Sequence, residues 1–134
     1  MNSANAKFSL VVQSGPSTSG AQAALFFARA ILQTGHQLSQ VFFQGDGVYC
    51  ANHLLSPLSD QLNIYQEWLA LHAKQAFNLH VCISSALKRG ILDSHEAFSH
   101  GYTQYTLNKP FELVGLGQLA MAYRQHNKVI YFGR

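Results

Sequence analysis

Five short apolar runs, "KFSLVVQ", "LSQVFFQ", "LHVCIS", "FELVGL" and "KVIYF", alternate along this chain with stretches whose apolar residues recur at helical spacing. A run that is apolar without alternation suits a strand buried on both faces, and strands separated by helices imply a parallel sheet covered on both sides. Residues 7–13 predict the first strand and residues 38–44 the second. Between them Ala21, Ala24, Leu25, Ala28, Ile31 and Leu32 mark a helix, and Gly35 suits the left-handed residue that ends it. After an irregular segment, residues 45–59, the stripe Leu62, Tyr65, Leu69 and Ala76 predicts a second helix, with Ser59 as a candidate cap. "SALKRG" predicts a short helix after the third strand. "DSHEAFSHGY" predicts another, opened by Asp93 and Glu96 at capping-box spacing. Leu116, Leu119, Ala120 and Tyr123 mark the last.

The expected fold is therefore α/β: one three-layer α/β/α domain, residues 7–134, after an N-terminal extension of residues 1–6. Right-handed crossovers make the flavodoxin-like order 2-1-3-4-5 the simplest arrangement of a five-stranded, mostly parallel sheet. A chain of 134 residues is long enough for a real core. Hydrophobic residues make up 48% and charged residues 11%, against about a quarter in typical domains, which argues against disorder. So few charges also leave an apolar surface that subunit contacts would cover. A net charge of +3 without a Lys/Arg run marks no nucleic-acid face. The apolar runs are too short to span a bilayer, and "MNSANAKFSL" lacks the pattern of a signal peptide. Two cysteines in such a chain favour reduced thiols and a cytoplasmic location.

In open α/β sheets, reactive groups gather outside the carboxyl ends of the strands. Three segments are expected to converge there: residues 14–20, 44–52 and 82–85. Cys82 falls where "LHVCIS" gives way to the next helix, beside Ser84 and Ser85, which can cap that helix. Unpaired N–H groups at a helix start favour an anion and lower a cysteine pKa, and Lys88 and Arg89 add positive charge nearby. The position suits a sulfur nucleophile. It equally suits a core residue, since free cysteine is among the most often buried residue types.

Other motifs carry less. The seven histidines, His36, His53, His72, His80, His95, His100 and His126, form no HExxH or CxxC…H pattern, so no metal is expected. "GLGQLA" lacks the full dinucleotide-binding context and reads as tight helix–strand packing. No nucleophile elbow supports Ser-His-Asp chemistry. Gln13, Ser14 and Gly15 read as a βα turn that could also wall a pocket.

Four segments, "FSLVVQSGPSTSGAQAALFFARAILQTGHQLSQVFF", "GVYCANHLLSPLSD", "LHVCISSALKRGILD" and "FELVGLGQLAMA", together resemble the DsrE-like sulfurtransferase family. The resemblance runs from Lys7 to the last strand and is closest to the branch serving bacterial tRNA 2-thiolation. It implies that Cys82 is the family's active cysteine, carrying sulfur as a persulfide without a cofactor. It also implies a heterohexamer with TusB- and TusC-like subunits, a TusA-like sulfur donor and a TusE-like acceptor, with no membrane and no direct tRNA contact. Tyr49 and Asn52 would line the Cys82 pocket, with His53 nearby, although Asn52 also suits its own turn. Cys50 stands where the family pattern carries a polar residue. It is a possible second thiol that could resolve the persulfide into a Cys50–Cys82 disulfide if the geometry allowed. Two other readings remain: a non-catalytic assembly subunit of the same fold, and a flavodoxin-like binder of a small ligand.

Overall fold

The computed structural model describes residues 5–125 and 127–133. The predicted strands form at Lys7–Val12 (β1), Gln37–Phe43 (β2), Asn78–Cys82 (β3), Phe111–Val114 (β4) and Lys128–Phe132 (β5). Helices fall at Ser19–Gln33 (α1), Ile64–Lys74 (α2), Ile83–Leu87 (α3), Ser94–Ser99 (α4) and Gly117–Arg124 (α5). Every strand pairing is parallel. Thr18 caps α1 by accepting the Ala21 N–H, and Asp93 caps α4 by accepting from Glu96. Gly35 takes the left-handed conformation beyond α1, at φ 83°.

The strand order is β4-β3-β2-β1-β5, which corrects the flavodoxin-like expectation 2-1-3-4-5. The reason lies in where the helices pack. Buried residues of α1 and α2, including Leu25, Ile31 and Trp68, share one core with Leu10, Val12, Val41, Phe43, Leu79 and Val81. With both helices on one face, right-handed crossovers add each new strand on the same side of the last. The last helix, α5, lies on the other face, where Leu119 meets Val11 and Phe42, and it brings the chain back to the free edge of β1.

Three local expectations also change. The segment after β2 opens with a 3₁₀ helix, Gly45–Ala51. Asn63, not Ser59, caps α2, whose buried stripe is Ile64, Tyr65, Trp68 and Leu71. On α5 only Leu119 and Ala122 are buried, so Leu116 and Tyr123 of the predicted stripe face outward.

Candidate active site around Cys82

Side chains alternate along β3, so Leu79 and Val81 enter the core beneath α1 and α2 while Cys82 turns toward α5. Cys82 is the last residue of β3 and the cap position of α3. It pairs with Val114 at the end of β4. The helix after β3 packs on one face and the helix after β4 on the other, so Cys82 stands at the topological switch point.

The thiol is 3% exposed and packs with Val11, Phe42 and Leu119. Its sulfur lies 3.4 Å from Ser84 Oγ. Burial alone would push its pKa up. Hydrogen bonds from the side chains and backbone N–H groups of Ser84 and Ser85 outweigh that, and the thiol titrates below its ordinary value. These local donors, rather than the dipole of a five-residue helix, stabilise the thiolate.

The loops after β1, β2 and β3 neighbour one another, although the cavity between the first two is not lined by Cys82. The Gly45 N–H donates to Ser85 Oγ at 3.0 Å, tying the loop after β2 to the loop after β3. An open cavity of about 560 Å³ beside them is lined by Gln13, Ser14, Gly15, Thr18, Asp46 and Arg89, among others. Gln13 donates to Gln44 Oε1, and Ser14 donates to the Gly133 carbonyl, so both serve the βα turn as well as the cavity wall.

Three predicted neighbours make contacts of their own. Asn52 accepts the Leu54 N–H at 2.9 Å and stabilises its own turn. His53 Nε2 is tied to the Tyr105 carbonyl at 3.0 Å. Tyr49 sits on the 3₁₀ helix, 37% exposed, and no described hydrogen bond joins it to Cys82. The Cys50–Cys82 disulfide has no geometric basis, because Cys50 belongs to the core on the opposite face of the sheet. Both cysteines are free, and burial pushes the Cys50 thiol up to about 12, where it is inert. His126 lies outside the described residues. Among the described residues no group of three or more His, Cys, Asp and Glu could hold a metal ion. Nor is any described helix long and apolar enough to cross a membrane.

Sequence reading missed a polar layer beneath α5. His80 Nδ1 lies 2.6 Å from Gln40 Oε1, and Gln40 donates to the Gln118 carbonyl of α5. Asn127 donates to both Ser9 and Ser39, and a cavity of about 120 Å³ lies among these groups. The signal was present as Ser9, Gln40 and His80, polar residues inside apolar runs. All three are buried.

The family model described as DsrE/DsrF-like matches residues 6–132. The chain belongs to that family. Among curated relatives it is 41% identical over 128 residues to "Sulfurtransferase TusD" of Cronobacter sakazakii, covering 94% of this chain and 99% of the relative. The namesake of Enterobacter sp. (strain 638) is 42% identical over the same shares. That of Proteus mirabilis is 40% identical over 115 residues, 86% of this chain and 88% of the relative. Likeness of this extent makes the DsrE-like chain a sulfurtransferase. The crystal structure of the ychN protein from E. coli superposes with a TM-score of 0.75, covering 95% of this chain and 99% of that one. At 22% identity that similarity establishes the fold.

Proposed function

We propose that Cys82 is the sulfur-carrying residue of this sulfurtransferase and works as a relay. The Cys82 thiolate attacks the outer sulfur of a donor persulfide, R–S–SH, forming Cys82–S–SH and releasing R–S⁻. A carrier thiolate, R′–S⁻, then attacks that outer sulfur, forming R′–S–SH and returning the Cys82 thiolate. No electrons are gained or lost overall. The observation that carries this reading is a thiol at the switch point whose ionised form is held by the donors of Ser84 and Ser85. A TusA-like donor, a TusE-like acceptor, TusB- and TusC-like subunits, a cytoplasmic setting and tRNA wobble-uridine 2-thiolation complete the proposal, on the strength of the TusD relatives.

The reading demands access. With Cys82 only 3% exposed, α5 must give way or shift when a partner docks. Two buried residues and a hydrogen bond from Gln40 hold it, and Leu116 provides no side-chain cap. The test is mass spectrometry of the chain after incubation with a low-molecular-weight persulfide. One added sulfur on the Cys82 peptide, lost in Cys82→Ser, is expected. Sulfur on Cys50 would overturn the assignment, and a chain that takes up none would be an assembly subunit.

A further inference from the structure

The Cys82 thiol is buried, but the hydroxyl that touches it is not. Ser84 is exposed, and its Oγ lies 3.4 Å from the sulfur. Among the described hydrogen bonds this is the one side-chain contact of the sulfur, and the Ser84 hydroxyl makes no other. Helix capping does not occupy that hydroxyl. Cys82 itself stands at the cap position of α3, which puts Ser84 at the second residue inside the helix. The ionisable groups on the surrounding elements are Lys7 on β1, His80 on β3, Glu112 on β4, Arg124 on α5, Lys128 and Tyr131 on β5, and Lys88 and Arg89 after α3. None of them shares a described hydrogen bond or ion pair with the sulfur.

A thiolate has only lone pairs to offer, so once Cys82 is ionised the shared hydrogen is the one on Ser84. The inner sulfur of a persulfide carries no charge and accepts weakly, because hydrogen bonds to ionised acceptors are the strong ones. The bond from Ser84 therefore tightens as charge builds on Cys82 and slackens while the extra sulfur is aboard. We infer that Ser84 is a catalytic residue of sulfur release, its hydroxyl holding the charge that returns to Cys82 as the outer sulfur departs. This rests on Cys82 being the reactive thiol. In that step the acceptor's electron pair forms the new bond to the outer sulfur, the S–S bond breaks, and its pair stays on Cys82 Sγ. The Ser84 hydrogen is shared and not transferred. Capture of sulfur obeys a different balance. There the same bond enlarges the ionised fraction of Cys82 but blunts the nucleophilicity of its thiolate.

The experiment compares the full native chain with Ser84→Ala across a range of pH, in both halves of the relay. Capture is followed by mass spectrometry with glutathione persulfide as donor. Release is followed as the thiocyanate formed when cyanide takes the outer sulfur from the loaded chain. Losing one hydrogen bond to a charged group weakens ionisation about ten-fold. At a Brønsted coefficient of about 0.5, capture by Ser84→Ala should be roughly three-fold slower on the acid side of both inflections. It should be roughly three-fold faster well above about pH 8.5, where both thiols are ionised. Release should be several-fold slower at every pH, since a more basic thiolate leaves less readily. Ser84→Thr, which keeps the hydroxyl, should restore both halves, and circular dichroism checks that each variant is folded. A sulfur merely misplaced would slow capture and release at all pH values, and a lifted steric cover would speed both. Either pattern overturns the inference, as does unchanged release. A native chain that loads no sulfur overturns the relay and this role within it, whereas loading without the crossover in pH overturns the role alone, so the two proposals fail distinguishably.

Discussion

The two faces of the sheet are built differently from the same strands. Under α1 and α2 lies a broad apolar core with Trp68, Phe43 and Phe111 at its centre, Trp68 edge-on to Phe43 at 5.7 Å. Under α5 four buried apolar residues, Val11, Phe42, Cys82 and Leu119, sit beside a polar layer. The first face provides stability. The second carries the Cys82 thiol beneath α5, and the pleat of β3 separates the two faces by one residue.

The sharpest way to test that division is to exchange cysteines. Cys82→Ser should abolish persulfide loading with the fold intact, whereas Cys50→Ser should load normally and lose stability, as read by mass spectrometry and thermal melting. Loading that requires Cys50 would erase the distinction between the faces. Next, Trp68→Ala should cost about 4 kcal/mol in denaturant unfolding and Leu119→Ala about 2 kcal/mol. Leu119→Ala should also speed alkylation of Cys82 several-fold by loosening α5. Equal costs, or an unmoved alkylation rate, would mean that the second face is packed as firmly as the first.

A gentler probe uses pH on the native chain. Alkylation at Cys82 should rise with pH to an inflection below that of free cysteine, while Cys50 stays unmodified until the chain unfolds. The smallest effect concerns His80. Burial lowers its pKa, against the opposing pull of Glu112. The unfolded imidazole therefore binds a proton more readily than the folded one. Stability from this group is present above about pH 6.5 and is lost as pH falls toward the lowered folded value. Replacing Glu112 with Gln should lower the folded pKa further and deepen that acid loss slightly in thermal melts. An imidazole titrating at or above its ordinary value by NMR would contradict the polar layer as described.

These contrasts also explain what could be read in advance. The strands and most helices were legible because apolar runs and caps such as Asp93 act locally. So was the place of Cys82 at a strand-to-helix junction, which is a local event. Strand order was not, because it depends on which face each crossover helix occupies. The contacts between the loops were likewise hidden: Gly45 lies 40 residues from Ser85, and Asp46 lies 43 from Arg89. The loop after β2 was not legible either, since it coils into a 3₁₀ helix whose Val48, Cys50 and Ala51 join the opposite core. The polar layer falls at the register shift between Phe8 and Ser9, an irregularity that alternation alone does not announce.

The placement of β5 at the free edge of β1 has a bearing on how the molecule comes into being. A ribosome delivers β1 through β4 in the sequence in which they lie side by side, so a nascent chain can assemble four strands as they emerge. Its oldest strand then waits with an open edge until β5 is released. The cover over the sulfur is made almost as late. Until both are in place, an open margin and an uncovered thiol share the same unfinished particle.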